Sequence, residues 1–264
     1  MNVPDRVAIV TGGGTGIGAA IARRLGSGGT AVALVGRRPG PLESNAAAIE
    51  AGGGQAVAIP ADLEDPITPE RIVASVLDRW GRIDVIVNDA AVIKNLPLDE
   101  MPLDVFEQHL AVNIRAPFFL VKAAFASLKA SGSASIVNIS SSSASLAIPG
   151  QAAYGLTKAA LEYLTRSWAA ELARFRIRVN SVAPGPVDTP IHLTWANDME
   201  AAYRALRGAS PLGIIAEPDA IARWVDRLCD PSETFVTGAV FAIDGGQTLN
   251  GWASAIADAA GPAS

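Results

Sequence analysis

The chain of 264 residues is short of the side chains that several kinds of chemistry require. It has one cysteine and two histidines. A single thiol excludes an internal disulfide, and Cys229 falls in the apolar pattern Ile221, Val225, Leu228, which suits an inert core residue. His109 and His192 lie in no cluster with ligand spacing, so no metal site is expected. No lysine- or arginine-rich block is present and the net charge is −5, which argues against nucleic acid or an acidic membrane surface as the main partner. No apolar run reaches the ~18 residues that span a bilayer. Met1–Arg6 is too short and too polar for a signal peptide, and a cytoplasmic protein is expected. What is abundant is apolar: half of the residues are hydrophobic and 18% are charged, enough for a substantial core.

Strand-like and helix-like segments alternate along the chain. Strands are predicted at Val7–Val10, Ala31–Val35, Ala56–Pro60, Ile83–Val87, Ser135–Ile139, Ile177–Val182 and Val240–Ile243. Helices are predicted near 16–26, 42–51, 69–80, 103–129 with an interruption at Pro117, 152–174 and 218–229. Short Val/Ile-rich strands alternating with helices predict an α/β chain with a parallel sheet covered on both faces, the doubly wound (Rossmann) fold. Ligands of such sheets sit at the carboxyl ends of the strands. No repeat or linker marks a boundary, so one domain is expected over 1–264, with an irregular stretch at 190–215 and a tail at 247–264.

Two stretches carry chemistry. Thr11-Gly12-Gly13-Gly14-Thr15-Gly16-Ile17-Gly18 lies between the first strand and the first helix, where glycines let backbone N–H groups approach a pyrophosphate at the helix's positive end. The second strand ends Val35-Gly36-Arg37-Arg38, with two guanidiniums where NAD-binding folds usually carry an acid. Guanidinium suits phosphate, so NADP(H) is favoured, with NAD(H) possible. The other stretch opens at Tyr154-Gly155-Leu156-Thr157-Lys158. Residues four apart share a helix face, so the phenol of Tyr154 and the ammonium of Lys158 can serve one site. A fixed cation stabilises a phenolate and lowers its pKa, which would equip Tyr154 to pass a proton. Leu156, Ala159, Ala160, Leu164 and Trp168 recur at helical intervals and are expected on the buried side.

With both stretches in place, the chain resembles the short-chain dehydrogenase/reductase family from about Val7 to Gly246. Ala61-Asp62-Leu63 is similar to the family's adenine-contacting acidic position, which implies Asp62 and Leu63 as cofactor contacts. Asn88-Asp89-Ala90-Ala91 resembles Asn-Asn-Ala-Gly, implying Asn88 and Ala90 beside the cofactor, with Asp89 in place of an asparagine and Ala91 in place of a glycine. If that turn needs φ > 0, an alanine there costs about 1 kcal/mol or more. Asn113 matches the family's catalytic-site asparagine, and Ser141, thirteen residues before Tyr154, its catalytic serine. The residues alone leave four hydroxyls open in Ser140–Ser143; the family offset selects Ser141. Pro184-Gly185-Pro186-Val187-Asp188-Thr189 resembles the loop that holds the nicotinamide carboxamide, implying Pro184, Gly185, Val187 and Thr189 as contacts.

The resemblance implies hydride exchange between a nicotinamide cofactor and a carbonyl/secondary-alcohol pair. Tyr154 would be the acid/base, Lys158 would also bond the nicotinamide ribose, Ser141 would polarise the substrate oxygen, and Asn113 would hold a water. The family also implies a variable substrate lid at about 190–215, and a largely apolar roster is expected around the substrate: Ile93, Leu146, Ile148, Pro149, Gln151, Ile191, Leu193, Trp195, Met199 and Tyr203. A ketoreductase leads; a 3-oxoacyl thioester reductase, an NAD-dependent alcohol dehydrogenase and a non-catalytic dinucleotide-binding protein are the alternatives. The family also implies a homotetramer or homodimer, joined through the helices near 103–129 and 154–174.

Overall fold

The computed structural model describes residues 4–191 and 198–249. His192, Leu193, Trp195 and the tail beyond Leu249 lie outside the described residues. In chain order the elements are β1 (Val7–Thr11), α1 (Gly16–Ser27), β2 (Ala31–Gly36), α2 (Pro39–Ala51), β3 (Ala56–Pro60), α3 (Thr68–Trp80) and β4 (Val85–Asn88). There follow α4 (Leu103–Leu110), α5 (Ala116–Ser131), β5 (Ser135–Ile139), α6 (Ala152–Leu172), β6 (Arg178–Pro184), α7 (Met199–Gly208), α8 (Pro218–Cys229) and β7 (Val240–Ile243). The strands form one seven-stranded sheet in the order β3-β2-β1-β4-β5-β6-β7, every neighbouring pair parallel. This is the predicted doubly wound α/β fold.

The central strands read as unbroken apolar runs because both of their faces are covered. In β1, Val7 and Ile9 enter a core with Ile72, Trp80, Leu120 and Trp168, on the face carrying α3, α5 and α6. Ala8 and Val10 enter the opposite core with Ile21, Leu42, Ile221 and Cys229, beneath α1, α2 and α8. The chain winds outward through β2 and β3, then returns to place β4 on the other side of β1. The reversal opens a crevice between the carboxyl ends of β1 and β4, where Thr11 and Asn88 lie in register.

Three features differ from expectation. The long helix is interrupted by a π-helical turn at Ala111–Arg115, ahead of Pro117, which takes a first-turn position of α5. Proline offers no N–H to the carbonyl four residues before it, here Asn113, and its ring crowds that carbonyl. The helix therefore widens at Asn113. Second, the 190–215 stretch contains α7, whose N-cap Asp198 accepts from the Ala201 N–H at 3.1 Å. Third, the continuous helix Leu103–Ser131 matches a membrane span by length and mean hydropathy, a window that no consecutive apolar run revealed. Its buried face packs on α3, α6 and β4 in the layer covering the sheet.

Candidate active site

Site geometry begins with Thr11 at the end of β1. Its Oγ1 donates to the Val87 carbonyl (3.3 Å) and accepts from the backbone N–H groups of Asp89 (3.1 Å) and Ala90 (3.2 Å). One hydroxyl thus ties the glycine turn to the turn after β4. A Cβ on Gly12, at φ +74°, would lie 2.7 Å from Asp89 Oδ2, and a Cβ on Gly18 would lie 2.6 Å from that oxygen and 2.4 Å from the Gly12 carbonyl oxygen. Only hydrogen fits at either position. Thr15 caps α1 without a side-chain bond, and no acidic residue stands in that helix's first turn. The N–H groups of Gly16 and Ile17 are therefore available to an anion, as a pyrophosphate requires, while that of Gly18 faces Asp89.

A cleft of about 420 Å³ runs from this turn across the sheet's carboxyl edge. Gly12, Thr15, Gly16, Ile17, Gly36, Arg37, Arg38, Asp62, Leu63 and Ala90 line one part of it, and Pro184, Gly185, Val187 and Thr189 another. Thr189 closes over the glycine turn, its Cγ2 standing 3.2 Å from where a Gly16 Cβ would be. Among the described residues the lining also takes in Pro41, Leu42, Val92, Ile93, Val112 and Leu206, of which the motifs signalled only Ile93. Arg37 and Arg38 are exposed at the end of β2. Arg37 faces Glu64 at 4.0 Å, a partner that the motif reading missed.

Three expected cofactor residues sit behind the wall rather than in it. Thr11 and Gly18 are buried and shape the turn from beneath. Asn88 is 2% exposed and donates through Nδ2 to Asn138 Oδ1 (2.8 Å), while Asn138 donates to Thr165 (2.9 Å). It belongs to a polar ladder joining β4, β5 and α6, because Asn88 and Asn138 lie opposite each other in register on the face that α6 covers. Ala91 lines the cleft without a left-handed backbone; among the described non-glycine residues only Arg176 has a positive φ. The alanine is therefore unstrained.

The second half of the site hangs on α6. Its inner face carries Tyr154, Thr157, Lys158, Leu161, Thr165 and Trp168, all buried. Leu156, expected inside, is 52% exposed. Trp168 is buried and Leu164 packs against the core as expected, but Leu156 and Ala159 face outward with Tyr163, while the functional polar groups turn inward. Lys158 Nζ donates to the Ile139 carbonyl (2.7 Å) at the end of β5 and stands 5.6 Å from the centre of the Tyr154 ring. Ser141 stands beside the Tyr154 phenol and stabilises its charged form. Ser141 also donates to Ser143 Oγ (3.2 Å), which donates to Gln151 Oε1 (2.8 Å), while Ser140 donates to Glu162 (2.8 Å). All four serines line the cleft, but Ser141 is the one beside the phenol, while the Ser140 hydroxyl is engaged by Glu162 and that of Ser143 by Gln151. Ser141, Ile148, Gln151, Tyr154, Lys158 and Ile191 all line the cleft; Leu146, Pro149, Met199 and Tyr203 do not.

Asn113 is 1% exposed and lies behind that lining. Its Oδ1 accepts from the Val92 N–H (2.9 Å), and its Nδ2 donates to the Val92 carbonyl (3.1 Å) and to Thr157 Oγ1 (3.0 Å). The side chain thus clamps the loop after β4 to α6, and its contact is the residue beside Lys158.

The electrostatics differ from the expected tyrosine–lysine pair. Burial pushes Tyr154 up to about 12, the Ser141 hydroxyl opposing and the Asp89 carboxylate reinforcing the rise. Burial also pulls Lys158 down to about 8, against the attraction of Asp89. Burial raises Asp89 to about 7, opposed by Lys158 and by the Gly18 N–H. In the unliganded protein desolvation therefore governs the phenol, and a third titrating group, Asp89, joins the two on α6.

A family model described as Enoyl-(Acyl carrier protein) reductase matches residues 12–248. The L-rhamnose 1-dehydrogenase (NAD(P)(+)) of Sphingomonas sp. (strain SKA58) is 35% identical over 247 residues, covering 93% of this chain and 97% of that protein. The cis-4-hydroxycyclohexanecarboxylate dehydrogenase of Sinomonas cyclohexanicum is 34% identical, over 92% of this chain and 97% of its own. A solved short-chain dehydrogenase/reductase from Serratia marcescens BCRC 10948 superposes with a TM-score of 0.86 at 34% identity, over 94% of this chain and all of that one. On this likeness, which spans the glycine turn, the sheet and the α6 groups together, the chain belongs to the short-chain dehydrogenase/reductase family, oxidoreductases acting on CH–OH groups.

Proposed function

We propose that this oxidoreductase is an NADP(H)-dependent ketoreductase in which Tyr154 gives the proton to the substrate oxygen. The observation that carries the reading is the convergence of Tyr154, Ser141 and Lys158 on the same cleft whose far end is lined by Arg37 and Arg38. The glycine turn and the uncapped start of α1 suit the diphosphate of a dinucleotide, and the two guanidiniums suit a 2′-phosphate. The cofactor, when bound, supplies the hydride. Ser141 directs and polarises the substrate oxygen. Tyr154, held protonated throughout the neutral range, is in the state that reduction of a ketone consumes. Lys158 keeps positive charge beneath the phenol, and Asn113 and Thr157 fix the backbone around it. Ile148, Ile191 and Leu206 supply an apolar wall, which favours an uncharged, medium-sized ketone over a phosphorylated sugar.

Tyr154→Phe is expected to lower turnover by about 10²–10⁴-fold, with NADPH affinity changed less than threefold by nicotinamide fluorescence. Retained activity would remove Tyr154 from the mechanism. Glu64, 4.0 Å from Arg37, favours the second reading, an NAD-dependent alcohol dehydrogenase, because it offsets one of the guanidiniums. Titration with each nucleotide separates the two. Arg37→Ala is expected to weaken NADPH by about 10–100-fold and to leave NADH unchanged, and equal losses would favour NAD.

We further propose a homotetramer or homodimer. Phe118 and Phe119 on α5 and Leu156 and Tyr163 on α6 are exposed on the helix layer and would be covered by a second copy. Sedimentation as a monomer at micromolar concentration would refute it.

A further inference from the structure

Asp89 occupies the place of an asparagine in the turn after β4, and its carboxylate is boxed in by the glycine turn. Its Oδ2 lies where only hydrogen atoms on Gly12 and Gly18 leave room. The N–H of Gly18, the third residue of α1, faces it and favours its charged form. A carboxylate there already occupies the positive end of the helix. The same helix end would serve a dinucleotide's diphosphate, so two anions would share one set of amides.

The surroundings offer little compensation. Lys158 and Tyr154 on α6 are the titratable groups that interact with Asp89. The glycine turn (11–18), the loop 90–93 and the end of β5 (139–143) contain no ionisable side chain. Lys158 gives its ammonium to the Ile139 carbonyl instead of to the carboxylate.

We propose that Asp89 makes dinucleotide binding proton-linked: the protein takes one proton from solvent onto the Asp89 carboxylate as the diphosphate seats, and affinity falls as that proton becomes scarce. An O–H bond forms on Asp89, buffer supplies the proton, and no other bond changes. An asparagine at this position would bind without the uptake. The inference rests on the dinucleotide reading of the cleft.

Calorimetric titration of the full chain with NADPH and with NADH tests it, from pH 6.5 to 8.5, in two buffers of different ionisation enthalpy. For wild type, binding at pH 8 should take up a large fraction of one proton, and affinity should fall about tenfold across the range. Asp89→Asn, with Asp89→Ser as a second variant, should bind without uptake, hold its affinity with pH, and be the tighter binder at pH 8.5. The 2′-phosphate of NADPH titrates alike in all variants and cancels in the difference. Equal uptake in wild type and both variants would assign the proton to Lys158 and overturn the proposal while leaving the dinucleotide reading intact. No binding of either nucleotide to any variant would overturn both.

Discussion

Strand β4 has an aspartate at each end, and the two are opposites. Asp84, just before the strand, is 1% exposed. It accepts two hydrogen bonds from Arg82 (2.9 Å each), one from Ser131 (2.6 Å) and one from the Val7 N–H (2.9 Å). Burial alone would raise its pKa, but those donors outweigh it and hold the carboxyl below its usual range. Asp89, just after the strand, has the Gly18 N–H and a lysine turned elsewhere, and burial prevails. The residue type is the same, but Asp84 is buried among four donors, whereas Asp89 lines the cleft with the Gly18 N–H beside it. The amino end of the sheet has a satisfied anion that ties β1, β4 and α5 together, whereas the carboxyl end retains an under-satisfied one beside the reactive groups. Perturbed ionisation of this kind clusters at functional sites.

The comparison can be broken from either end. Asp84→Ala should have the largest effect, about 2–3 kcal/mol of lost stability, because it leaves the buried Val7 N–H without its acceptor and removes the anchor that holds Arg82 and Ser131; urea unfolding at pH 7 measures it. Asp89→Asn should act in the other direction. The folded-state pKa of Asp89 is raised, so wild type loses stability as pH climbs from about 4 to about 7, while the unfolded carboxylate ionises freely. The variant lacks that loss and should be more stable than wild type by about 1–2 kcal/mol at pH 8 and equal to it near pH 4. For Asp84 the sign is reversed: its folded pKa is lowered, so its contribution is complete above the ordinary carboxylate range and disappears as pH falls through the folded value. Parallel pH–stability curves for both variants would erase the contrast. Ser131→Ala, which removes one donor in four from Asp84, is the smallest effect, about 1 kcal/mol, read from thermal melts.

Much of the fold was legible, and the reason is local. Three strands, Ala56–Pro60, Ser135–Ile139 and Val240–Ile243, coincide with the predicted bounds, and α8 does as well, since apolar runs and Pro218 mark them directly. The α7 helix was hidden because it is mostly exposed and amphipathic over ten residues, with one buried side chain, Ala202. The π turn at Asn113 was visible only as Pro117, whose strain falls on the residues before it. In the site, Tyr154 and Lys158 share the cleft as their spacing implies, and Ser141, which the family resemblance selected, joins them. The burial face of α6 was misread because a catalytic helix buries polar groups and leaves Leu156 outside.

The sequence alone determined the alternation of elements, the glycine turn and the tyrosine–lysine pair, because each depends on residues close together in the chain. Tertiary structure decided which groups share a charge environment. Asn88 and Asp89 are adjacent, yet one is locked to Asn138 beneath the floor and the other faces Lys158 across the cleft. Pairings over such sequence distances, and the desolvation that raises Tyr154 and Asp89, are properties of the packed sheet and helices, because a pKa depends on which dipoles and charges surround a group in space.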